Sequence, residues 1–144
     1  MKYLLDTCIV SETTKRKPNG RVCEWLASMP FHDLYLSVVT LGEIQNGVSR
    51  LDEDSALRRR LVDWLAEVRR KYSGRIIPFD EDAALLWGRT TGECARAGRT
   101  MPTADSQIAA TARSRGMTLV TRNVDDMVEM GIPIFNPFAE DEPA

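Results

Sequence analysis

Short apolar runs alternate along the chain with longer segments in which apolar residues recur every three or four positions. Short runs predict buried strands, and the longer spacing predicts amphipathic helices. Strands are predicted at residues 2–5, 34–38, 75–79 and 118–121, with a short further strand at residues 134–135. Helices are predicted at residues 7–15, 22–29, 41–51, 53–71, 80–98, 104–115 and 124–130. Because helices separate the strands, we expect right-handed crossovers and an α/β/α arrangement around a central, mostly parallel sheet of four to five strands.

Three residues refine the predicted ends of these elements. Thr40 has the side chain and position of a helix N-cap for residues 41–51. Gly116 follows residues 104–115 at the place where a left-handed residue ends a helix. Pro78 cannot donate a backbone hydrogen bond, so the third strand is predicted to be short or at an edge.

The same pattern predicts one domain at residues 1–138 and an acidic, disordered tail at residues 139–144. No apolar stretch approaches the ~20 residues that a membrane helix requires. The N-terminal apolar run is too short for a signal peptide. We therefore expect a cytoplasmic protein without a membrane partner.

Composition removes several kinds of site. The three cysteines, Cys8, Cys23 and Cys94, are odd in number and widely spaced, which argues against a disulfide framework or a zinc site. His32 is the only histidine, so a multi-histidine metal site is excluded and a histidine-dependent triad is disfavoured. The net charge of −2 says little about partners by itself.

Acidic and amide side chains stand where strands and helices meet. Asp6 follows the first strand, Glu43 lies early in the helix after the second, and Asp105 lies at the start of the helix before the fourth. Asn123 and Asp126 follow the fourth strand. Since sites in open parallel sheets form outside the carboxyl ends of the strands, these side chains are candidates for one site.

Each acid also has a structural explanation. Asp6 and Asp105 could be helix N-caps, Glu43 has capping-box spacing from Thr40, and Asp126 could favour a helix N-terminus. If the acids converge, however, two like charges ~4 Å apart repel by about 4 kcal/mol at an effective dielectric near 20.

Because no lysine or arginine lies within a few residues of Asp6, Glu43 or Asp105, a divalent cation is the natural compensation for converging acids. An all-oxygen ligand set favours Mg²⁺ or Mn²⁺ over Zn²⁺.

Four stretches resemble one known family in order and spacing. LLDTCIVSE, LYLSVVTLGEIQNGV, TADSQIAATARSRGMTLVTRNVDD and IFNPF are similar to segments of the PIN domain, and within it to the VapC-type toxin ribonucleases, including the FitB-like branch. The resemblance implies a three-layer PIN-like fold and places Asp6, Glu43 and Asp105 at the family's three acidic metal positions. Asn123 stands where some relatives carry an aspartate, so Asp126 is expected to supply the missing charge, and Cys8 stands where an asparagine is common.

The resemblance implies a Mg²⁺-dependent endoribonuclease, the toxin of a type II toxin–antitoxin module, that hydrolyses RNA with a metal-activated water. Thr7 and Thr121 are expected to support the site. Implied partners are RNA, a small VapB-like antitoxin, a second copy in a homodimer, and a toxin–antitoxin hetero-oligomer. The alternative is a catalytically inactive PIN-like module that only binds protein.

Positive charge is clustered along the chain, and four arginines are candidates for holding the RNA backbone. They are Arg58, Arg59, Arg60 and Arg122. Their other explanation is that they lie on solvated helix faces.

Overall fold

A five-stranded, entirely parallel sheet forms the centre of the computed structural model, which describes residues 1–139. The strands are β1 (Tyr3–Leu5), β2 (Leu34–Ser37), β3 (Ile76–Ile77), β4 (Thr118–Val120) and β5 (Ile134–Phe135). Their order across the sheet is β3-β2-β1-β4-β5. The first strand of the chain therefore lies in the middle, and β3 lies at an edge, as Pro78 predicted.

Helices connect the strands. They are α1 (Thr7–Glu12), α2 (Gly20–Ser28), α3 (Val38–Ser49), α4 (Ala56–Lys71), α5 (Glu81–Arg96), α6 (Thr103–Ser114) and α7 (Val124–Met127). Single 3-10 turns lie at Phe31–Asp33 and Val128–Met130. No helix in the described part of the chain is both long and apolar enough to cross a membrane.

Successive strand residues face opposite sides of the sheet, and each side is buried. Leu5 and Val120 belong to one apolar cluster, which includes residues of α1, α2, α3 and α4. Leu4 and Leu119 belong to a second cluster, which includes residues of α6, α7 and the turn after it. The helices thus cover both faces, and the predicted three-layer α/β/α architecture is confirmed.

The register brings the carboxyl ends of the central strands together. Leu5 of β1 pairs with Val120 of β4, and the backbone N–H of Asp6 donates a 2.9 Å hydrogen bond to the carbonyl of Val120. Residues that follow β1 and β4 therefore lie side by side, although more than a hundred positions separate them in the sequence.

The start of α3 differs from the prediction. Its N-cap is Ser37, whose hydroxyl accepts a 3.0 Å hydrogen bond from the N–H of Val39. Thr40 lies inside the helix and is fully buried, so its predicted role as the N-cap is wrong. The prediction failed because the β-branched pair Val38–Val39 reads as strand, whereas β2 passes into α3 with no loop between them.

The bounds of other helices also differ from the prediction. α4 begins at Ala56, capped by the hydroxyl of Ser55, rather than at residue 53. α1 ends at Glu12 rather than at residue 15. Of the predicted acidic tail, residues 140–144 lie outside the described residues, and the single domain at residues 1–138 stays a prediction.

Candidate metal centre at the carboxyl edge of the sheet

Three acids from distant parts of the chain meet at one point. Asp6, Glu43 and Asp105 each offer a carboxylate oxygen, and these oxygens lie within 4.8 Å of one another. Asp6 follows β1 directly, Glu43 lies in the second turn of α3, and Asp105 lies in the first turn of α6. The convergence predicted from the sequence therefore occurs.

Asp6 is held by hydrogen bonds to both of its carboxylate oxygens. Its side chain is buried, with 2% of the residue exposed. Oδ1 accepts a 2.8 Å hydrogen bond from the N–H of Thr7, which makes Asp6 the N-cap of α1. Oδ2 accepts a 2.7 Å hydrogen bond from the hydroxyl of Thr121. The helix-capping role and the place in the acidic cluster thus belong to the same residue.

Glu43 is held by a threonine from another element. The hydroxyl of Thr7 donates a 2.6 Å hydrogen bond to Oε1 of Glu43. The hydroxyl of the buried Thr40 lies 3.1 Å from that of Thr7. Because Thr40 is inside α3, it does not form the capping box that its spacing from Glu43 suggested.

Thr40 was not among the predicted site residues. Its position three residues before Glu43, on the same helix face, is the signal that could have identified it.

Asp105 carries the clearest electrostatic sign of crowding. Burial, together with the negative charges of Asp6, Glu43 and Asp126, raises the pKa of its carboxyl to about 6. The residue before α6 is Pro102, which makes no side-chain cap, so Asp105 is not an N-cap.

Nearby, the indole N–H of Trp87 donates to the hydroxyl of Ser106 at 2.9 Å and fixes α6 against α5.

The donor set fits a hard divalent cation. Within residues 1–139, no lysine or arginine forms an ion pair with Asp6, Glu43 or Asp105. Carboxylate oxygens are the ligands that Mg²⁺ and Mn²⁺ favour. Cys8 lies close, with Sγ 3.6 Å from Oδ2 of Asp6. Burial and the Asp6 charge raise the pKa of that thiol to about 11, so in the metal-free protein it is a neutral thiol and adds no negative charge to the cluster.

The fourth strand supplies further polar groups beside the acids. The N–H of Asn123 donates a 3.1 Å hydrogen bond to the hydroxyl of Thr121, which itself donates to Asp6. Asp126 is exposed on α7, and its charge acts on Asp105. Both residues therefore lie at the border of the acidic cluster rather than in its centre.

Two of the four predicted RNA-binding arginines make contacts within the connection between α3 and α4. Arg58 donates a 2.8 Å hydrogen bond to the carbonyl of Leu51, and Arg59 donates a 3.3 Å bond to the carbonyl of Asp54. These bonds stabilise that connection whether or not the side chains also touch RNA.

The other two arginines are exposed. Arg60 lies on α4. The guanidinium of Arg122 lies 4.7 Å from the centre of the Phe138 ring.

Comparison with known proteins identifies the relatives of this chain. A family model described as PIN domain matches residues 3–131. The protein named Toxin FitB from Neisseria gonorrhoeae is 34% identical, and the match covers 94% of this chain and 97% of that protein. VapC ribonuclease Y4jK from Sinorhizobium fredii is 32% identical, with 98% of this chain and 99% of that protein covered.

A solved structure points to the same group. Its subject is described as FitAB bound to an IR36 DNA fragment, and one of its chains superposes with a TM-score of 0.89 at 33% identity. The match covers 97% of this chain and 98% of that chain. Because both the family model and the relatives span most of the sequence, the family predicted from the sequence is confirmed: this chain belongs to the PIN domain family.

Proposed function

We propose that this PIN-domain protein is a Mg²⁺-dependent endoribonuclease, with Mn²⁺ as an alternative ion, and that it acts as the toxin of a type II toxin–antitoxin module. The observation that carries the proposal is the meeting of Asp6, Glu43 and Asp105, with which no lysine or arginine of residues 1–139 forms an ion pair. The names of two relatives, Toxin FitB and a VapC ribonuclease, agree with it.

The chain's own residues have distinct tasks in this proposal. Asp6, Asp105 and Glu43 are the residues that would hold the cation. Thr121 fixes the orientation of Asp6, and Thr7 fixes that of Glu43.

Asp126 contributes a fourth negative charge close to Asp105. When bound, the cation offsets negative charge on the phosphodiester oxygens and lowers the pKa of the water used for hydrolysis.

The proposed partners follow from the same assignment. The substrate is single-stranded or looped RNA, whose bases are accessible. A small VapB-like antitoxin binds the toxin, which forms a homodimer and a toxin–antitoxin hetero-oligomer in the cytoplasm. Exposed apolar side chains, including Leu57 and Val62 on α4 and Leu85 on α5, are available for such contacts. The solved FitAB structure, in which one chain is similar to this protein, is consistent with such a complex.

The direct test is cleavage of a panel of defined RNAs by the purified chain, in Mg²⁺ and in EDTA. We expect internal cuts in Mg²⁺ and none in EDTA, with cleavage restored when Mg²⁺ is added back. The alternative function, an inactive module that only binds protein, predicts no Mg²⁺-dependent cleavage and no Mg²⁺-dependent rise in melting temperature. Retention of all three acids argues against that alternative.

A further inference from the structure

A cavity of about 420 Å³ lies at the carboxyl ends of β4 and β5, next to the acidic cluster. Its lining residues are Arg122, Asn123, Val124, Asp125, Asp126 and Asn136. The cavity adjoins the cluster because Asn123 is linked through Thr121 to Asp6 by two successive hydrogen bonds. Its volume is within the range of pockets that bind small ligands.

Among residues 1–139, no hydrogen-bond partner is found for the side-chain amide of Asn123. Asn123 precedes α7, in the N-cap position that asparagine favours, yet its side chain makes no capping hydrogen bond. Asn19 has the equivalent position before α2, and its Oδ1 accepts hydrogen bonds from the N–H groups of Arg21 and Val22. Unlike Asn19, Asn123 therefore does not use its side chain for capping, and it is one of the residues that line the cavity.

Only the oxygen of the Asn136 side-chain amide has a hydrogen-bond partner among residues 1–139. Its Oδ1 accepts a 3.0 Å hydrogen bond from the N–H of Phe138, which fixes the side chain. An amide also carries two N–H donors, and in the described part of the chain no partner of the Asn136 donors is found. The cavity is therefore bordered by a fixed donor group from β5 and a second amide from the end of β4.

The charges at the cavity indicate which part of a nucleotide enters it. Asp125 and Asp126 make the interior unfavourable for a phosphate, so an uncharged base is the better occupant. Arg122 is exposed, and its guanidinium lies over the ring of Phe138. This contact places the positive charge of the arginine at the cavity. A base inside and a phosphate at the arginine match the two ends of one nucleotide.

We propose that this cavity receives the base of the nucleotide next to the scissile phosphate of single-stranded RNA, and that Asn123 and Asn136 select among bases by hydrogen bonding. Asparagine amides pair with base edges, and the bases of single-stranded RNA present those edges to proteins. The role in cleavage rests on the proposed ribonuclease function, whereas the binding of a base does not.

The first test maps cleavage sites in a random-sequence RNA pool by sequencing the new 5′ ends. The variants are Asn123→Ser and Asn136→Ser, because serine keeps a hydrogen-bonding oxygen but removes the amide. Asn19→Ser is the matched control, with the same chemical change outside the cavity. We expect a base preference beside the cut in the wild type and in the control, and a loss of about 10-fold in that preference in both cavity variants. A uniform wild-type profile, or an unchanged preference in both folded cavity variants, would overturn the proposal.

The second test does not depend on cleavage. The four uncharged nucleosides are titrated in EDTA into ¹⁵N-labelled protein, and the side-chain amide signals of Asn123 and Asn136 are followed. We expect one or two nucleosides to shift these signals and the Asn19 signal to stay unchanged. Equal shifts for all four nucleosides, or no shift at all, contradict base selection. If the wild type cuts no RNA, the ribonuclease proposal fails, and this titration still decides whether the cavity selects bases.

Discussion

The hydroxyl of Thr121 donates a 2.7 Å hydrogen bond to Oδ2 of Asp6, across 115 positions of the chain. Both residues are buried. Because the acceptor is a carboxylate, this hydrogen bond is of the stronger, charge-assisted kind. The same hydroxyl accepts a hydrogen bond from the backbone N–H of Asn123. It therefore links the residues that follow β4 to the residue that follows β1. This contact orients one carboxylate of the proposed metal centre.

Replacing Thr121 by valine keeps the side-chain shape and removes the hydroxyl. We expect the free energy of unfolding to fall by about 1–3 kcal/mol, because two polar groups lose their partner. We also expect Mg²⁺ affinity to fall about 10-fold, as for other groups that orient a metal ligand. Urea unfolding and calorimetric Mg²⁺ titration measure the two effects. Thr121→Ser should restore both, and a valine variant with wild-type affinity would contradict the orienting role.

Asp105→Asn tests the metal site without removing a helix cap, since Asp105 is not an N-cap. We expect RNA cleavage to fall by about 100-fold or more, because the substitution removes a charged ligand at the reacting centre. Without Mg²⁺ at pH 7, the melting temperature should rise, because repulsion among the acids is reduced. Asp63→Asn, an exposed acid on α4, is the matched control and should cleave normally. A folded Asp105→Asn protein with wild-type cleavage would rule out the proposed role.

The raised pKa of Asp105 predicts how stability depends on pH. The folded protein holds this proton up to about pH 6, whereas the unfolded chain releases it near pH 3.8. The folded state therefore binds more protons in that window, and the stability of the metal-free protein should decrease as pH rises through it.

Mg²⁺ binds the deprotonated site, so its stabilising effect should be larger at pH 7 than at pH 5. Thermal unfolding with and without Mg²⁺ at both pH values measures the difference. An equal Mg²⁺ effect at the two pH values would contradict the assignment, and Asp105→Asn should remove most of the dependence.

Thr7 is the hydroxyl donor to Glu43 at 2.6 Å. In Thr7→Val we expect cleavage to fall about 10-fold or more, because Glu43 loses the contact that orients it. We expect the free energy of unfolding to fall by about 1 kcal/mol, since the buried Thr40 hydroxyl also loses its neighbour. Thr7→Ser should recover cleavage in a kinetic assay. If Thr7→Val, which keeps the methyl group, cleaves like the wild type whereas Thr7→Ser is impaired, packing of the methyl group rather than the hydroxyl is responsible.

Arg58 and Arg60 allow the predicted RNA contacts to be separated from structural ones. Arg60→Gln should weaken RNA binding, since the exposed arginine side chain is available to the phosphate backbone of RNA. The slope of log K for RNA binding against log salt concentration should become shallower by the amount expected for about one phosphate contact. Arg58→Gln should mainly lower stability, because it removes the hydrogen bond to the Leu51 carbonyl. RNA-binding isotherms at several salt concentrations and urea unfolding measure both variants. A salt dependence unchanged in Arg60→Gln would remove this residue from the proposed interface.

The parallel sheet and the three main acids could be predicted because they depend on local signals. Apolar runs mark the strands, and acids that follow a strand or lie early in a helix are candidates for the edge where sites form. Ser37 and Thr40 show where such signals stop. Both are hydroxyl residues ahead of an apolar helix, and only the absence of a loop between β2 and α3 decides that Ser37 is the cap.

The contacts that orient the acids were beyond sequence reasoning. Thr7 meets Glu43 36 residues away, and Thr121 meets Asp6 only because β1 and β4 are neighbours in the sheet. No periodicity in one sequence encodes which strands are adjacent. Thr121 was expected near the site, but its partner and the role of Thr40 required the three-dimensional arrangement.

The central position of β1 has a consequence for synthesis of the protein. Asp6 is translated well before its neighbours Asp105 and Thr121, and Thr121 lies 115 positions further along the chain. A nascent or prematurely terminated product therefore lacks an assembled acidic centre. Until Asp105 has been translated, the growing polypeptide has no complete three-acid site.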